Sequence, residues 1–371
     1  MKFPLTLVAA ALCAASGLAQ AQTYPTKTVR IIVPFAPGGG SDFIARLIAP
    51  PLNKSLGQQF IVDNRPGAGS TLGSEIALKS PADGYTLLLI SGSFTTAPSL
   101  YKNLKYDTLS DMTPVVQTEN GPYLITVHPS LPVKTVKDLV ALAKANPTTI
   151  NFASTGNGGI THLASELFAL RTGIKLTHIP YKGTGPGVTD TLAGHTQMMV
   201  AAVSASIGHV KSNRLRGLAV SSPKRLPALP NIPTVAEAGV PGFVMTVWHG
   251  VVAPVKTPRA MINVLNAAVN KAVTSPEGKR RILALGSEPA PAFWWQCVCT
   301  MTSPSGSPLN TCATVSSSRM SLASSSSSSS PMSRRRRLSR SATTWLRSRT
   351  RACTTCRTSS TSTTASTSAR A

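Results

Sequence analysis

Short apolar runs alternate along residues 23–290 with Gly/Ser-rich breaks and with longer segments of helical period. Val29 to Phe35 is β-branched and apolar throughout, which predicts a buried strand. It leads into Ala36-Pro37-Gly38-Gly39-Gly40-Ser41-Asp42, then into Phe43, Ile44, Leu47 and Ile48 at the spacing of one helix face. Ser41 is placed to cap that helix and Asp42 to complement its dipole. Pro50-Pro51 predict that it ends or kinks early. Gln59 to Val62 reads as a second strand, Arg65 to Gly69 as a tight loop, Ser70 to Lys79 as a helix, and Thr86 to Ile90 as a third strand before the loop Ser91 to Thr95.

The same grammar restarts after Pro122. Strands are expected at Tyr123–Val127, Asn151–Ala153, His178–Tyr181, Met198–Val203 and Leu215–Val220, and helices at Thr135–Ala145, Thr161–Arg171 (closed by Gly173) and from Gly187 to Ala193. Phe243 to Val252 is strongly apolar again and Arg259 to Val273 is helical. Strand, Gly/Ser loop and helix in alternation imply an α/β fold with parallel sheets. Two such units, with the chain crossing between them, imply a cleft at the carboxyl ends of the strands.

Composition splits the chain in two. The formal net charge is +24, but residues 291–371 hold 11 arginines, no lysine and no acidic residue, and 37 of those 81 residues are Ser or Thr. Residues 1–290 carry 26 Lys plus Arg against 13 acidic residues, a modest basic excess suited to anionic ligands. The tail has no strand or helix period and little apolar surface to offset chain entropy, so disorder is expected there. A basic arm, a surface-binding tail and out-of-frame translation compete; the last accounts for lysine vanishing while Arg, Ser, Thr, Cys and Trp rise. Cys353-Thr-Thr-Cys356 falls in this stretch and reads as accidental. At the other end, Lys2, the apolar run Leu5–Ala15 and Ala19-Gln20-Ala21 read as a cleavable secretory signal over residues 1–21. Cys13 lacks the small residues that precede a lipidated cysteine, so a soluble exported protein is expected, and the resemblance given below places it in the periplasm. No cysteine occurs between Gln22 and Ala290, a length able to bury a core without disulfides.

Several Gly/Ser/Thr loops precede helices, where unpaired N–H groups and hydroxyls can meet an anion. No loop matches a dinucleotide or nucleotide-phosphate pattern, no G-x-S-x-G elbow is present, and His128, His162, His178, His195, His209 and His249 lack metal-ligand spacing. No metal or cofactor is expected, nor a nucleic-acid partner. His162 can donate to a ligand or cap its helix, and Asp42 can meet a ligand amine or cap. Lys182 lends charge to the cleft or sits solvated at its rim.

Tyr24-Pro25-Thr26-Lys27-Thr28-Val29-Arg30-Ile31-Ile32-Val33-Pro34-Phe35-Ala36-Pro37-Gly38-Gly39-Gly40-Ser41-Asp42 closely resembles the opening of the Bug-type solute receptors, the extracytoplasmic binding components of tripartite tricarboxylate transporters. Asp63-Asn64-Arg65-Pro66-Gly67-Ala68-Gly69, Pro81 to Leu87, Ser154 to Gly158, Pro180 to Gly183 and Ile232 to Gly239 follow in that family's order. The resemblance implies a type II periplasmic binding protein fold: two Rossmann-like lobes, 22–120 with 245–290 and 121–244, joined by a two-strand hinge near Pro114–Tyr123 and Phe243–Val252. It implies a carboxylate held, partly through water, by Phe35, Gly39, Gly40, Ser41 and Asp42 of one lobe and Ser154, Thr155, Gly156 and Asn157 of the other. Ser91, Ser93, Thr95, His162, Lys182, Gly183 and Ser204 complete the expected cleft. The family takes organic acids, amino acids and aromatic carboxylates and hands them to membrane permease subunits. A monomer without enzymatic activity is expected. Pro51 and the missing closing helix after Pro289 depart from the family pattern. A receptor feeding a sensor kinase, an enzyme on the same scaffold and a non-functional frameshifted product remain as rivals.

Overall fold

The protein is described by a computed structural model over residues 24–290; the expected signal and the Ser/Thr/Arg tail lie outside the described residues. The first parallel unit runs β1 (Val29–Val33), α1 (Gly40–Leu56), β2 (Phe60–Asn64), α2 (Thr71–Leu78), β3 (Thr86–Ser91) and α3 (Gly92–Leu100). β4 (Met112–Val127) then carries the chain into the second unit: α4 (Val136–Ala145), β5 (Asn151–Ser154), α5 (Ile160–Thr172), β6 (Thr177–Pro180), α6 (Thr184–Leu192), β7 (Met198–Ala202), α7 (Val203–Lys211) and β8 (Arg216–Val220). β9 (Thr246–Pro254) returns to the first, followed by α8 (Arg259–Thr274), α9 (Pro276–Ala284) and the short β10 (Glu288–Pro289).

Among the described residues the strands make one sheet in the order β2-β1-β3-β9-β4-β7-β5-β6, with β8 and β10 also on β4. β1 pairs in parallel with β2 and β3, and β5 with β6 and β7. The alternation of side chains decides where each apolar residue goes. Ile31, Val33, Leu87 and Leu89 enter one core with Ile44 and Leu265, whereas Ile32, Leu88 and Ile90 enter another with Phe94. Both faces being covered explains why these strands read as unbroken apolar runs.

The hinge is built from β4 and β9. β4 pairs with β9 as far as Pro122, then with β7 and β8 from Tyr123 and Leu124 onward. Val115 and Val116 sit in the first lobe's core, Tyr123 and Ile125 in the second's; β9 likewise divides Val251 and Ala253 from Val247. Each strand is thus a shared beam.

Several local expectations change. α1 passes through Pro50 and Pro51 to Leu56 instead of ending. Leu47, Ile48 and Leu52 are buried on both sides of the pair, and their packing outweighs the lost N–H donors. α1 also starts at Gly40 with Gly39 as its cap residue, so Ser41 is not the cap. The expected loop Ser91 to Thr95 is instead the start of α3, with Ser91 as its cap residue, and α7, α9 and β10 were likewise not anticipated from the pattern.

Leu265 is fully buried on α8 against α1 and the sheet. Leu265→Ala should cost about 2–5 kcal/mol of stability, measured by urea unfolding. A loss below about 1 kcal/mol would show that α8 lies outside the cooperative core.

Candidate functional site

Five helices begin where the lobes face each other: α1 after β1, α3 after β3, α5 after β5, α6 after β6 and α7 after β7. The first N–H groups of a helix have no partner within it, and its dipole leaves partial positive charge there. Residues from all five starts (or their caps) line a single cavity: Gly39, Gly40 and Ser41; Ser91 and Ser93; Ile160 and Thr161; Thr184; Ala202. Phe35 and Thr155 join them from the preceding loops, and Tyr123, Val247 and His249 form the hinge side. The cavity has a volume of only about 30 Å³, so the facing lobes leave little free room between them. Its wall carries seven hydroxyl side chains and no Lys, Arg, Asp or Glu.

The lobes are drawn together over it. Ala36 N–H donates to the Lys182 carbonyl at 2.9 Å, Ile160 N–H to Ser93 Oγ at 2.9 Å, and Tyr101 O–H to the Asn157 carbonyl at 2.6 Å. Gly185 packs so tightly that a Cβ there would run into the Pro37 carbonyl oxygen of the other lobe. Gly40 is equally constrained: a Cβ would come within 2.9 Å of Ser204 Oγ and 3.3 Å of the His249 ring.

A buried polar chain runs inward from the cavity wall. Glu119 Oε1 and His249 Nδ1 are 2.7 Å apart, and His249 Nε2 is 3.0 Å from Ser41 Oγ. Glu119 is fully buried on β4, His249 is 2 % exposed on β9, and Ser41 belongs to α1. Tyr123 O–H and Ser204 Oγ are buried beside the site without partners. Tyr123 alone of these two is on the wall, and burial holds its phenol well above the ordinary range.

The sequence-predicted residues divide. Phe35, Gly39, Gly40, Ser41, Ser91, Ser93 and Thr155 are on the wall, and Ser204 abuts it through Gly40. Others are not. Asp42 accepts from Gly38 N–H, Arg46 and Asn64, which outweigh its burial and keep the carboxyl below its usual range. Thr95 Oγ1 donates to the Gly92 carbonyl inside α3. Lys182 and Asn157 point to solvent, and only their carbonyls join the lobes. Gly156 and Gly183 face the opposing lobe's backbone at Gly69 and Ala36. Ser154 Oγ engages His178, and His162 accepts from Gly158 N–H at 3.1 Å, so both brace their own loop. Tyr123, Thr161, Thr184 and the Glu119–His249 pair were missed. The one available signal for the Glu119–His249 pair was an ionisable residue in each of the two hinge segments.

Residues 44–292 match the family described as tripartite tricarboxylate transporter family receptor. This chain belongs to that family. BugT of Bordetella pertussis is 40 % identical over 281 residues, 74 % of this chain and 86 % of that protein. Among solved structures, Rpa4515 of R. palustris with adipate is 35 % identical with a TM-score of 0.72, covering 75 % and 93 % of the two chains. MatC (Rpa3494) from Rhodopseudomonas palustris with bound malate is 30 % identical with a TM-score of 0.69, covering 71 % and 90 %. The receptor family is one of solute-binding proteins of the two-lobed α/β kind. Among the described residues of this receptor no helix is long and apolar enough to cross a membrane, and no group of His, Cys, Asp and Glu is arranged to hold a metal.

Beside the receptor's second-lobe loop, the His162 and His178 rings stack at 3.8 Å between centroids, with Phe152 4.9 Å from His178 and 6.1 Å from His162. Burial first, and then the neighbouring His162, push His178 from its ordinary 6.5 down to about 4. The unfolded chain therefore takes this proton more readily than the folded one. Stability from this group is complete above pH about 6.5 and declines as pH falls toward about 4. Melting temperature should drop over that window, and His178→Phe should flatten the drop; an unchanged slope in the variant would remove His178 as its source.

Proposed function

We propose that this receptor captures a small carboxylate outside the cytoplasmic membrane, as a monomer, and presents it to the membrane permease subunits of a tripartite tricarboxylate-type transporter. One observation carries the reading: five helix starts and seven hydroxyls converge on a cavity with no lysine or arginine on its wall. Each start contributes roughly half a positive charge. Unpaired amides and hydroxyls meet carboxylate oxygens directly, and the inter-lobe bonds shut the cleft once both halves touch the ligand. The adipate and malate in the related R. palustris structures are acids of the expected size. Lys182 and His162 act from the rim and from the loop support, not as charge partners of the ligand.

The Ser41–His249–Glu119 line also favours a second reading, since a serine, an imidazole and a carboxylate in sequence can activate a nucleophile. Recovery of the ligand separates the two: capture returns the acid unchanged after saturable binding, whereas catalysis consumes it. A thermal-shift screen of mono- and dicarboxylates should raise the melting temperature with at least one acid and leave the acid intact. No stabilisation by any organic anion would overturn the reading. Gly185→Val should weaken binding by about tenfold or more and leave the ligand-saturated receptor in an open shape by small-angle scattering. Unaltered affinity in that variant would show that closure contributes nothing.

A further inference from the structure

Glu119 is fully buried, and its Oε2 has no partner among the described residues, so His249 Nδ1 at 2.7 Å satisfies only half of the carboxylate. A polar network kept for stability alone gains nothing from such a gap, because an unpaired buried acceptor costs free energy. Gaps of this kind are tolerated where a group has chemistry to perform. A carboxylate only accepts, so His249 holds a proton on Nδ1 toward Glu119 and turns Nε2 to Ser41 Oγ at 3.0 Å. Carboxylate, imidazole and serine thus stand in the order, and within the reach, that an activated nucleophile requires.

Ser41 is the second residue of α1, reached from β1 through the glycine-rich loop. Gly39 has no side chain to cap this helix, so the N–H groups of its first turn stay open beside Ser41. Asp42 is drawn away to Gly38, Arg46 and Asn64 and does not fill them. Tyr123 O–H, on the same wall and without a partner, adds a side-chain donor. Donors fixed in this way stabilise the oxyanion of an acyl-transfer intermediate. The room between the lobes, about 30 Å³, limits the acyl group to a short one.

We propose that Ser41 is an acyl-transfer nucleophile and that the receptor hydrolyses esters of small carboxylic acids. Ser41 is 7 % exposed with the lobes together, so the ester enters an open cleft. Ser41 Oγ bonds to the acyl carbon while its proton passes to His249 Nε2. The ester C–O bond then breaks, and the departing alkoxide takes that proton and leaves as the alcohol. Water next bonds to the acyl carbon and gives a proton to His249; the Oγ–C bond breaks and the proton returns to Ser41. Alcohol and acid are the products, and nothing is oxidised or reduced. The acid belongs to the class that the capture reading places in this cleft, but the inference does not depend on capture. A free acid is bound unchanged, and the ester is the species consumed.

The probe is p-nitrophenyl acetate with the full-length chain, followed by p-nitrophenolate release, with acid-quenched protein digested and searched by mass spectrometry for the acetyl group. Release should run about tenfold or more above buffer, and the acetyl group should sit on Ser41. Ser41→Ala should return the rate to that of buffer, and His249→Phe should remove at least about nine-tenths of the added rate. Glu119 is a positioning residue that acts through His249. Glu119→Gln should lower the rate and move the acidic limb of the pH–rate profile to lower pH, because the imidazolium loses its stabilising charge; a purely structural role would leave that limb in place. A rate no greater than buffer's, a Ser41→Ala chain as fast as the parent, or acetyl groups found only on other residues would each overturn the inference. Each of these leaves carboxylate capture standing, since the thermal-shift screen tests that by itself.

Discussion

Everything in this receptor's cleft follows from main-chain donors that a helix cannot satisfy by itself. Parallel strands place the starts of the helices that follow them at one edge of the sheet, and the cleft gathers five such starts from both lobes. Those N–H groups would be a liability if buried dry. Hydroxyl side chains and backbone from the facing lobe cover some of them, as Ser93 does for Ile160. On the proposed reading, an anion entering the cavity would meet donors already fixed in position and no mobile lysine or arginine that must first be ordered.

The hinge carries more than mechanical duty. β4 and β9 contribute core side chains to both lobes and also hold Glu119 and His249, and that pair reaches α1 through Ser41. A buried carboxylate and imidazole with a hydrogen bond between them are tolerable only as a unit, since removing one strands the other. The chain thus fixes the orientation of a cavity hydroxyl from residues on the very strands that join the lobes. The cavity wall, the start of α1 and the hinge are one connected structure.

Family membership was legible from the opening motif and the ordered loops, and the placement of most elements followed from apolar period and turn residues. Residues 24–290 held the alternation of strand, loop and helix in nearly the expected places. The site was half legible. Phe35, Gly39, Gly40, Ser41, Ser91, Ser93 and Thr155 reach the wall because they follow strand ends, which is a local property. Lys182 and Asn157 do not, because their side chains are turned to solvent by loops whose carbonyls are committed to the opposite lobe. Tyr123, Thr161, Thr184 and His249 stayed hidden because nothing local distinguishes a wall residue from a core residue.

The amino-acid sequence by itself determined the two-unit α/β organisation, the strand-end loops and their capacity for anions, since those depend on side-chain period, glycine and helix termini within a few residues of each other. Only tertiary structure decided that α1 survives Pro50 and Pro51, that Ser41 turns from capping to His249, and that Glu119 lies beside a histidine 130 residues later. Those outcomes depend on packing and on burial of charge between segments distant in the sequence, which no local pattern records.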